Sequence, residues 1–397
     1  MAENISTGKA LGGGDFTSCA AWIAWAEVSG QLGETLECYD DGGSLGAFSS
    51  TVAWAAGNHD ASNKPRIIAA AGHGHGGSTT SGAACGVIDN SYQDYFEVIG
   101  MRTGGIRIKS QTLGSEKLTS NLISDNIITS IDTARPLLVR ANAWDVSPHQ
   151  ISSLVVENNI ILTGTQISDT LVYYYAYGRL GRACWITGTV RNNLFLGSGV
   201  ETHNTRFRTT WGGDWYYPWM NITFENNMIF GASSLDIQVW ENNVNATVTM
   251  APSNCITGDG TADDHGGSNN QVNKTIAECI QDWGNSNFNL VQNGPAHESG
   301  ITNDVTTDMV GVERPQGTFF DIGPLELLAL SDVATTLSMP VELLSSLIAD
   351  ANMPVELTQP DRVFHGTTKR VWTVADNGSS WALSSRGKTW TIPKRVN

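Results

Sequence analysis

Four segments of the sequence repeat one pattern at a nearly constant spacing. In each, an apolar residue is followed by a polar residue, by Asp-Asn or Asn-Asn, and by an apolar pair. The segments are NLISDNIIT (121–129), LVVENNIIL (154–162), GTVRNNLFL (188–196) and ITFENNMIF (222–230). Their apolar lead residues are spaced 33, 34 and 34 positions apart and are Ile123, Val156, Val190 and Phe224. A fixed period of this kind indicates one supersecondary unit stacked on copies of itself.

The repeating unit is predicted to be a coil of β-strands. No helical pattern lies between the copies, which disfavours leucine-rich and ankyrin repeats, and each period holds short apolar strands separated by Gly, Asn and Ser. This pattern fits one coil of a parallel β-helix, in which equivalent residues of successive coils lie about 4.8 Å apart. The sequence therefore predicts an all-β fold built by stacking coils.

Asparagine is suited to a corner of such a coil. Its amide donates to one neighbour in the stack and accepts from the next, and it tolerates left-handed backbone at a tight bend. We therefore predict one ladder at a corner, formed by Asn126, Asn159, Asn193 and Asn227.

The residue before each pair forms a second column, which contains Ser124, Glu157, Arg191 and Glu225. We interpret this column as a surface ion-pair ladder, because the arginine lies between the two glutamates. The alternative is a pair of catalytic carboxylates. The glutamates would then be about 9–10 Å apart with the arginine blocking the gap, which is unlike a glycosidase.

The N-terminal residues differ from the repeats. DFTSCAAWIAWAEVSG (15–30) predicts a short helix that Thr17 or Ser18 caps and that would cover the open apolar end of the coil. Its apolar side is expected to hold Ala20, Ala21, Trp22, Ile23, Trp25 and Ala26. Short strands are expected near 35–39, 51–55 and 66–70. The predicted segments are an N-terminal cap (1–30), a parallel β-helix (31–328), a connector (329–360) and a C-terminal β segment (361–397).

The composition limits the partners. The net charge of −16 leaves no basic excess to bind nucleic acid or an anionic membrane surface. No apolar run approaches the roughly 18 residues of a membrane span and no signal core is present, which predicts synthesis in a cytoplasm. The six cysteines include no CxxC pair and are interpreted as buried free thiols, with a Cys19–Cys38 bridge as the alternative.

A motif near residue 312 resembles a known family. The run VERPQGTFFDIGPLEL holds Arg314-Pro315, Asp321-Ile322-Gly323-Pro324 and Glu326. It is similar to the Arg-Pro … Asp-Ile-Gly-Ala-x-Glu run that ends the coil in many proteins of the pectate-lyase-like superfamily, except that Pro324 replaces the alanine and should end strand pairing. The resemblance implies a right-handed, single-stranded parallel β-helix over about residues 1–328. Enzymes of this superfamily use paired carboxylates on adjacent coils, or calcium with an arginine base.

The C-terminal segment differs in composition from the body. After two copies of MPVEL, residues 361–397 hold seven of the 23 Lys and Arg residues and only two of the 39 acidic residues. The segment resembles the short R-x-W/Y-x-V repeats that end several tailed-phage virion proteins. We expect it to dock on a neighbouring subunit or another protein, with packing on its own body as the alternative. The docking candidates are Phe364, Trp372, Trp381, Trp390, Arg370 and Arg386.

Candidate ligands for a metal are few. GHGHGG (72–77) places His73 and His75 two residues apart, which suits either a glycine-rich turn, the preferred interpretation, or a shared metal. TGDGTADDHGG (257–267) offers oxygen ligands for calcium from Asp259, Asp263 and Asp264, but it lacks the EF-hand spacing. No cofactor is predicted, and calcium is the alternative at the aspartates.

Aromatic residues concentrate in ETHNTRFRTTWGGDWYYPWMN (201–221). Such density on a loop suits sugar stacking or protein contact, with burial of the loop against the coil as the alternative. The candidate glycan-binding residues are Trp211, Trp215, Tyr216, Tyr217 and Trp219, and the weak catalytic candidates are Asp214, Glu201, Asp236 and Glu241. These carboxylates do not form a complete catalytic set in register.

These features favour a structural role. The leading hypothesis is a virion protein of a tailed bacteriophage that decorates the capsid or forms a fibre or spike, made in the host cytoplasm and anchored by its C-terminal segment. Its expected partners are other virion proteins, copies of itself in a homo-oligomer such as a trimer, and a cell-surface glycan. The alternatives are a polysaccharide lyase or hydrolase of the tailspike type and a glycan-binding adhesin.

Overall fold

The protein is described from a computed structural model, which gives the placement of most residues between 5 and 328 and of three short strands near the C-terminus. The described residues are 5–29, 34–49, 62, 64–91, 93–110, 117–129, 135–142, 148–163, 170–178, 183–199, 203–211, 218–242, 246–328, 374–376, 380–385 and 388–393. The chain divides into two compact units, Met1–Ala329 and Leu330–Asn397. The first unit is called the body below.

One long sheet of the body, sheet A, is entirely parallel. Its strands follow one another in chain order, so each successive coil adds one strand beside the last. They are β1 (Ile5–Gly8), β2 (Thr35–Cys38), β4 (Arg66–Ala69), β6 (Glu97–Ile99), β9 (Leu122–Ser124), β12 (His149–Glu157), β15 (Cys184–Arg191), β18 (Trp219–Glu225) and β21 (Thr247–Ser253). Strand β8 (Lys117–Thr119) also pairs with β12.

A second parallel sheet, sheet B, receives the chain after each corner. Strand β7 (Arg102–Ser110) is long enough to pair at its start with β10 and further along with β11, which joins two rows of strands into one sheet. One row holds β11 (Leu137–Asn142), β14 (Thr170–Gly178), β17 (His203–Trp211) and β20 (Leu235–Glu241). The other holds β10 (Ile127–Thr129), β13 (Ile160–Leu162), β16 (Leu194–Leu196), β19 (Met228–Phe230) and β22 (Ile256–Thr257). Strands β3 (Phe48–Ser49) and β5 (Ala84–Asn90) precede β7 in the stack.

The strand register confirms the repeat. Val156 pairs with Ile123 on one side and with Val190 on the other, and Val190 pairs with Phe224. All four lead residues are buried. Each apolar side chain of this size contributes about 1.5–3 kcal/mol when buried, so a one-residue slip would be costly. The body is therefore a parallel β-solenoid, as the spacing of the four segments predicts.

Aromatic side chains in the core of the solenoid stack on one another between neighbouring strands and contact each other across the two sheets. Tyr174 and Phe207 lie on neighbouring strands with ring centroids 5.0 Å apart and nearly parallel planes. Phe207 also meets Phe224 from the opposite sheet edge-on at 5.7 Å. Aromatic pairs at these distances add about 0.5–1.5 kcal/mol to the burial of their area. These contacts tie the two sheets together through the core.

Helix α1 (Cys19–Ser29) follows β1. The Oγ of Ser18 accepts a hydrogen bond from the N–H of Ala21 at 3.1 Å, as expected of a cap. The buried side of the helix consists of Cys19, Trp22, Ile23 and Ala26, and Trp22 packs on Phe48 of β3 with centroids 6.1 Å apart. The sequence wrongly placed Ala20, Ala21 and Trp25 on that side. They are exposed, and Trp25 contacts Phe16 instead.

The four asparagines of the repeat stack in the buried corner between the two sheets. The Oδ1 of Asn159 accepts from the N–H of Asn126, that of Asn193 from Asn159, and that of Asn227 from Asn193, all at 2.9–3.0 Å. Each Nδ2 also donates to a backbone carbonyl of a coil, such as the bond from Asn193 to Val156 O at 2.9 Å. The side chains therefore satisfy backbone groups that have no strand partner at the bend.

The bend itself is made by the preceding residue, which differs from the prediction that one asparagine serves both purposes. The left-handed backbone belongs to Asp125 (φ 58°), Asn158 (53°), Asn192 (53°), Asn226 (52°) and Asn254 (51°). Gly100, with φ 72°, takes the same place one coil earlier. Asn and Gly are the residues that adopt this conformation at least cost. Two adjacent columns of residues therefore have different roles. The first turns the chain at the corner, and the second forms hydrogen bonds between coils.

The last part of the body, the strap (residues 296–327), crosses the outside of this corner. Asn226 bonds Ile301 in both directions, with its Nδ2 donating to the carbonyl at 2.8 Å and its Oδ1 accepting from the N–H at 2.9 Å. Asn254 donates to Ser299 O at 3.0 Å and Asn158 donates to Thr307 O at 2.9 Å. The outward asparagine column therefore holds the strap to successive coils.

The Arg-Pro … Asp-Ile-Gly motif of residues 314–326 is folded on itself within the strap by internal hydrogen bonds. It does not form a further coil of the solenoid. Buried Arg314 donates to the carbonyls of Asp321 and Gly323 at 3.1 and 2.7 Å and lies 3.4 Å from the carboxylate of Glu326. Burial, followed by the charge of Asp321, raises the pKa of Glu326 to about 7. Gly323 has φ 101°, a conformation that is strained for any residue with a side chain, and an added Cβ would also displace the terminal methyl of Met228.

Short elements connect the last coil to the strap. They are the 3₁₀ turn Asp263–His265, helix α2 (Ile276–Cys279), the antiparallel strands β23 (Ile280–Asp282) and β24 (Asn287–Leu290), and the 3₁₀ turn Trp283–Asn285. In the second unit, three antiparallel strands form a sheet: β25 (Val374–Asp376), β26 (Ser380–Ser385) and β27 (Lys388–Pro393). The predicted strand near 51–55 lies outside the described residues.

Removing one rung of the ladder should destabilise the body. Asn193→Ala leaves the N–H of Asn159 without its acceptor and removes the Nδ2 donor of the Val156 and Arg191 carbonyls in a buried corner, although the Arg191 carbonyl still accepts from the N–H of Asn158. We expect the free energy of unfolding to fall by about 2–4 kcal/mol, since each orphaned group costs about 1–3 kcal/mol. Urea denaturation followed by tryptophan fluorescence measures it. Asn221→Ala, at an exposed position of β18, is the matched control and should change stability by under about 0.5 kcal/mol. Equal losses in both variants would contradict the assigned role of the ladder.

Candidate functional site

The outer face of sheet B carries alternating arginine and aromatic residues on four adjacent strands. Strand β14 reads TLVYYYAYG, and its odd-numbered tyrosines point away from the core while Tyr174 fills it. Strand pairing places Tyr175 between an arginine of β11 and an arginine of β17, places Tyr173 beside a second arginine of β17, and sets a tryptophan of β20 next to the β17 arginines. We call this surface the arginine–aromatic face; it consists of Arg140, Tyr173, Tyr175, Tyr177, Arg206, Arg208 and Trp240.

One column of the arginine–aromatic face alternates cation and ring along the solenoid axis. Arg140 pairs in register with Tyr175, Tyr175 with Arg208, and Arg208 with Trp240. The guanidinium carbons of Arg140 and Arg208 each lie 5.6 Å from the centre of the Tyr175 ring, and that of Arg208 lies 4.2 Å from the Trp240 ring. Each such contact is worth about 0.5–1 kcal/mol at an exposed site. The column is thus a preorganised stack of flat groups.

A second column of contacts lies beside the first on the same face, two residues earlier along strands β14 and β17. Arg206 is nearly buried, and its guanidinium lies 4.5 Å from the Trp240 ring and 5.9 Å from the Tyr173 ring. The guanidinium of Arg135 lies 4.2 Å from the Tyr173 ring. Since Arg206 and Tyr173 are nearly buried, they limit the freedom of the more accessible side chains beside them.

The chemistry of this face suits an anionic ligand with flat apolar surfaces. Among the residues that the structure describes, neither Arg140 nor Arg208 forms an ion pair with a carboxylate. Guanidinium groups bind carboxylate and sulfate oxygens through paired donors, and indole and phenol rings stack on sugar faces. Sequence reasoning missed the face. The available signal was the period-2 alternation within LVYYYAYG of β14 and FRTTW of β17, which places tyrosines and arginines on one face of each strand.

A second aromatic pair lies on the outer face of sheet A. Trp185 and Trp219 occupy paired positions of β15 and β18, and their rings are parallel within 2° with centroids 6.1 Å apart. Trp219 is 38% exposed, so one ring surface is available to a ligand. Trp219 was among the predicted glycan-binding residues, and Trp185 was not. Trp211 ends β17 of sheet B, while Trp215, Tyr216 and Tyr217 lie outside the described residues.

The described catalytic candidates hold structural positions. Both oxygens of Asp236 accept hydrogen bonds, one from Asn204 Nδ2 at 2.8 Å and the other from the N–H of Gly258 at 2.6 Å. Burial, followed by the charge of Asp259, raises the pKa of Asp236 to about 6. Glu241 accepts from the N–H of Val248 at 2.6 Å. Glu201 and Asp214 lie outside the described residues.

The predicted calcium ligands are not gathered into one site. Asp259 accepts from Thr261 and from the N–H of Asp236 at 2.8 Å, so it closes a turn. Asp263 and Asp264 are exposed in the adjacent 3₁₀ turn. In the described part of the chain, no cluster of three or more His, Cys, Asp or Glu residues is arranged to hold a metal ion.

The two histidines of GHGHGG serve separate partners. His73 accepts a hydrogen bond from the N–H of Asp40 at 3.2 Å and packs on the Tyr39 ring at 4.8 Å. His75 is buried, with Nε2 bonded to the carbonyl of Asp125 at 2.5 Å and Nδ1 accepting from Gly77. The two rings therefore contact different parts of the body, in keeping with the preferred interpretation of a glycine-rich turn.

The charge column of the corner pairs differently from its prediction. Arg191 does bond Glu157, at 2.8 Å, but its second partner is Asp304 of the strap. Glu225 is adjacent in register to Arg191 and lies beside Asn303. Sequence reasoning could not find Asp304, because the strap is more than a hundred residues away in the chain. The contacts of Arg191 with Asp304 and of Glu225 with Asn303 therefore join the charge column to the strap.

A groove of about 350 Å³ opens where strands β16 and β19 end. It is lined by Gly197, Gly199, Gly231 and Gly258 together with Trp283 and Lys274. Among the described residues, no carboxylate lines it.

No protein-family model matches the chain, and no curated protein is significantly similar to it. In the portion that the structure describes, no helix is long and apolar enough to cross a membrane. Function is therefore inferred from the geometry and chemistry of the surfaces described above.

Ionisation of Asp236 should make the body less stable as the pH rises. Its folded pKa of about 6 exceeds the ordinary value of 3.8, so its contribution is fully present below pH 3.8 and is lost as the pH rises towards 6. The loss is up to about 3 kcal/mol at 1.4 kcal/mol per unit. Unfolding free energies at pH 4.5 and 6.5 measure it.

Two variants separate this contribution from those of other carboxylates. Asp236→Asn cannot ionise, and the fall in stability between the two pH values should shrink in it. Asp264→Asn, in the exposed 3₁₀ turn, should keep the wild-type slope. An unchanged slope in Asp236→Asn would refute the assignment.

Proposed function

We propose that this chain is a structural and binding component of a tailed-phage particle, in which the solenoid body projects and the C-terminal unit docks. The observation that carries the proposal is the second compact unit, Leu330–Asn397, which holds a three-stranded antiparallel sheet. Sheets of this size rarely bury enough apolar area to be stable alone, so a partner surface completes them.

The register of this small sheet supports a docking role. Trp381 pairs with Ile392, and Leu383 pairs with Trp390 and Val374. Since alternate residues of a strand share a face, these five positions lie on one face of the sheet. The candidates Trp381 and Trp390 are therefore on the same face, while Phe364, Arg370, Trp372 and Arg386 lie outside the described residues.

Charge indicates which partner the sheet binds. Residues 361–397, which include the small sheet, carry seven basic and two acidic residues, whereas the whole chain has a net charge of −16. Opposite charge favours encounter and suppresses wrong partners. An acidic neighbour, namely the body of an adjacent copy within a homo-oligomer such as a trimer, is therefore the partner we propose, with other virion proteins beyond it.

We also propose the superfamily, the handedness of the coil and the role of helix α1 as a cap. The Arg-Pro … Asp-Ile-Gly motif supports membership of the pectate-lyase-like superfamily, and parallel crossovers are right-handed in about 98% of cases, which supports a right-handed coil. Helix α1, packed on β3, is proposed to cap the first coil and cover its apolar end. An enzymatic role receives less support, because Asp236 and Glu241 are bonded to neighbouring groups.

Deletion of residues 330–397 should abolish docking and leave the body folded. Size-exclusion chromatography with light scattering should show an oligomer for the full chain and a monomer for the truncated one. Binding of each to phage particles that lack the protein, measured by co-sedimentation, should be lost with the tail. A truncated chain with wild-type assembly and particle binding would disprove the proposal, and circular dichroism checks that its body is intact.

A second candidate function is recognition of an acidic cell-surface glycan, and the arginine–aromatic face favours it. Arg140 and Arg208 stand two coils apart, about 9–10 Å along the axis, with Tyr175 between them. The spacing is suited to a chain whose charged sugars alternate with neutral ones. The Trp185–Trp219 pair offers a smaller and uncharged surface for stacking.

Single substitutions can tell the two faces apart. Arg208→Ala removes a charge and two ring contacts, and we expect at least tenfold weaker binding to an array of acidic glycans. Trp219→Ala, on the other sheet, should change the affinity less than about twofold. The reverse order would move the site to sheet A. Absence of glycan binding by the wild type would remove this candidate.

A further inference from the structure

Three cysteines from separate elements meet inside the core. Cys19 begins helix α1, Cys38 ends β2 and Cys85 lies in β5. The sulfur atoms of Cys19 and Cys85 are 3.2 Å apart, and the thiol of Cys38 also interacts with Cys85. All three are buried and none is in a disulfide. The bridge considered from sequence, Cys19–Cys38, therefore does not describe the closest pair.

We propose that Cys19 and Cys85 are a latent disulfide that forms when the chain folds in an oxidising medium or passes into one. Their sulfur atoms need approach by only about 1.2 Å to reach the bond length of about 2.05 Å. The two residues are 66 positions apart, so the bond closes a large loop. It would tie the N-terminal helix to sheet B covalently.

The oxidant is a small-molecule disulfide such as oxidised glutathione. The thiolate of Cys85 attacks one glutathione sulfur, which forms a mixed disulfide and releases one glutathione thiolate. The thiolate of Cys19 then attacks the Cys85 sulfur and releases the second glutathione. Two electrons pass to glutathione disulfide, and the two thiol protons go to the two glutathione molecules released.

Burial controls when this reaction occurs. The hydrogen bond with Cys85, together with burial, raises the pKa of Cys19 well above its ordinary value, so few thiolates exist in the folded protein at neutral pH. Oxidation is therefore expected during folding or local opening. A reducing compartment would preserve the three thiols, and an oxidising one would lock the pair.

Cys38 gives the experiment an internal control. It lies beside the pair but is not part of the proposed bond, so Cys38→Ala should retain the cross-link, and Cys85→Ala should lose it. If the first disulfide formed were instead Cys38–Cys85, the effects of Cys38→Ala and Cys19→Ala would exchange. The three substitutions are matched in size and burial.

The test is peptide mapping of the full chain refolded in glutathione redox buffer. Free thiols are blocked with iodoacetamide, and trypsin with Glu-C then separates the three cysteines into peptides 10–27, 38–66 and 67–97. We expect 10–27 linked to 67–97, a link that dithiothreitol removes. Three separate alkylated peptides, or a link that involves 38–66, would overturn the proposal.

Thermal unfolding provides a second readout, because oxidised and reduced wild-type protein can be compared directly even if a cysteine variant folds poorly. The oxidised wild type should melt about 5 °C above the reduced protein, because the bond restricts the unfolded chain. Cys38→Ala should keep this difference and Cys85→Ala should lose it. Equal melting temperatures of oxidised and reduced wild type would also count against the bond.

Discussion

The structure depends on hydrogen bonding at one sharp corner of each coil. Where the chain leaves sheet A and enters sheet B, the residues on either side of the buried asparagine bond the backbone of neighbouring coils, but the N–H of that asparagine has no backbone acceptor. The Oδ1 of the asparagine in the next coil supplies that acceptor, and because each asparagine bonds the next coil, the same atoms fix the spacing between coils. The register of the two sheets, the ring stacks in the core and the position of every outward side chain follow from that spacing.

Many of the described carboxylates of this acidic protein are used to hold the body together. Asp236, Asp259 and Glu326 accept hydrogen bonds from backbone or side-chain donors, and Glu157 binds an arginine that fastens the strap. These carboxylates hold turns, coils and the strap in place. Arginine, tyrosine and tryptophan side chains lie on the outer faces of the sheets, where they are available for the binding role that we propose.

Sequence reasoning succeeded where the signal was periodic and local. The spacing of Ile123, Val156, Val190 and Phe224 predicted the solenoid, its register and the asparagine column. It failed where contacts join distant parts of the chain: the pairing of Arg191 with Asp304 and the approach of Cys19 to Cys85 have no local trace. The arginine–aromatic face was missed for another reason, since its residues are ordinary on each strand and become a feature only when four coils are stacked.

The strap gives the solenoid a property that stacked coils do not have by themselves. A pure array of repeats contacts only its nearest neighbours, so its coils can unravel one at a time from an end. Here the strap joins Asn158 to a residue 149 positions later and Asn192 to one 111 positions later. Opening any of these coils therefore requires the same segment to leave, which makes several coils open together. The body should behave as one cooperative unit, with slow formation as the cost of such distant contacts.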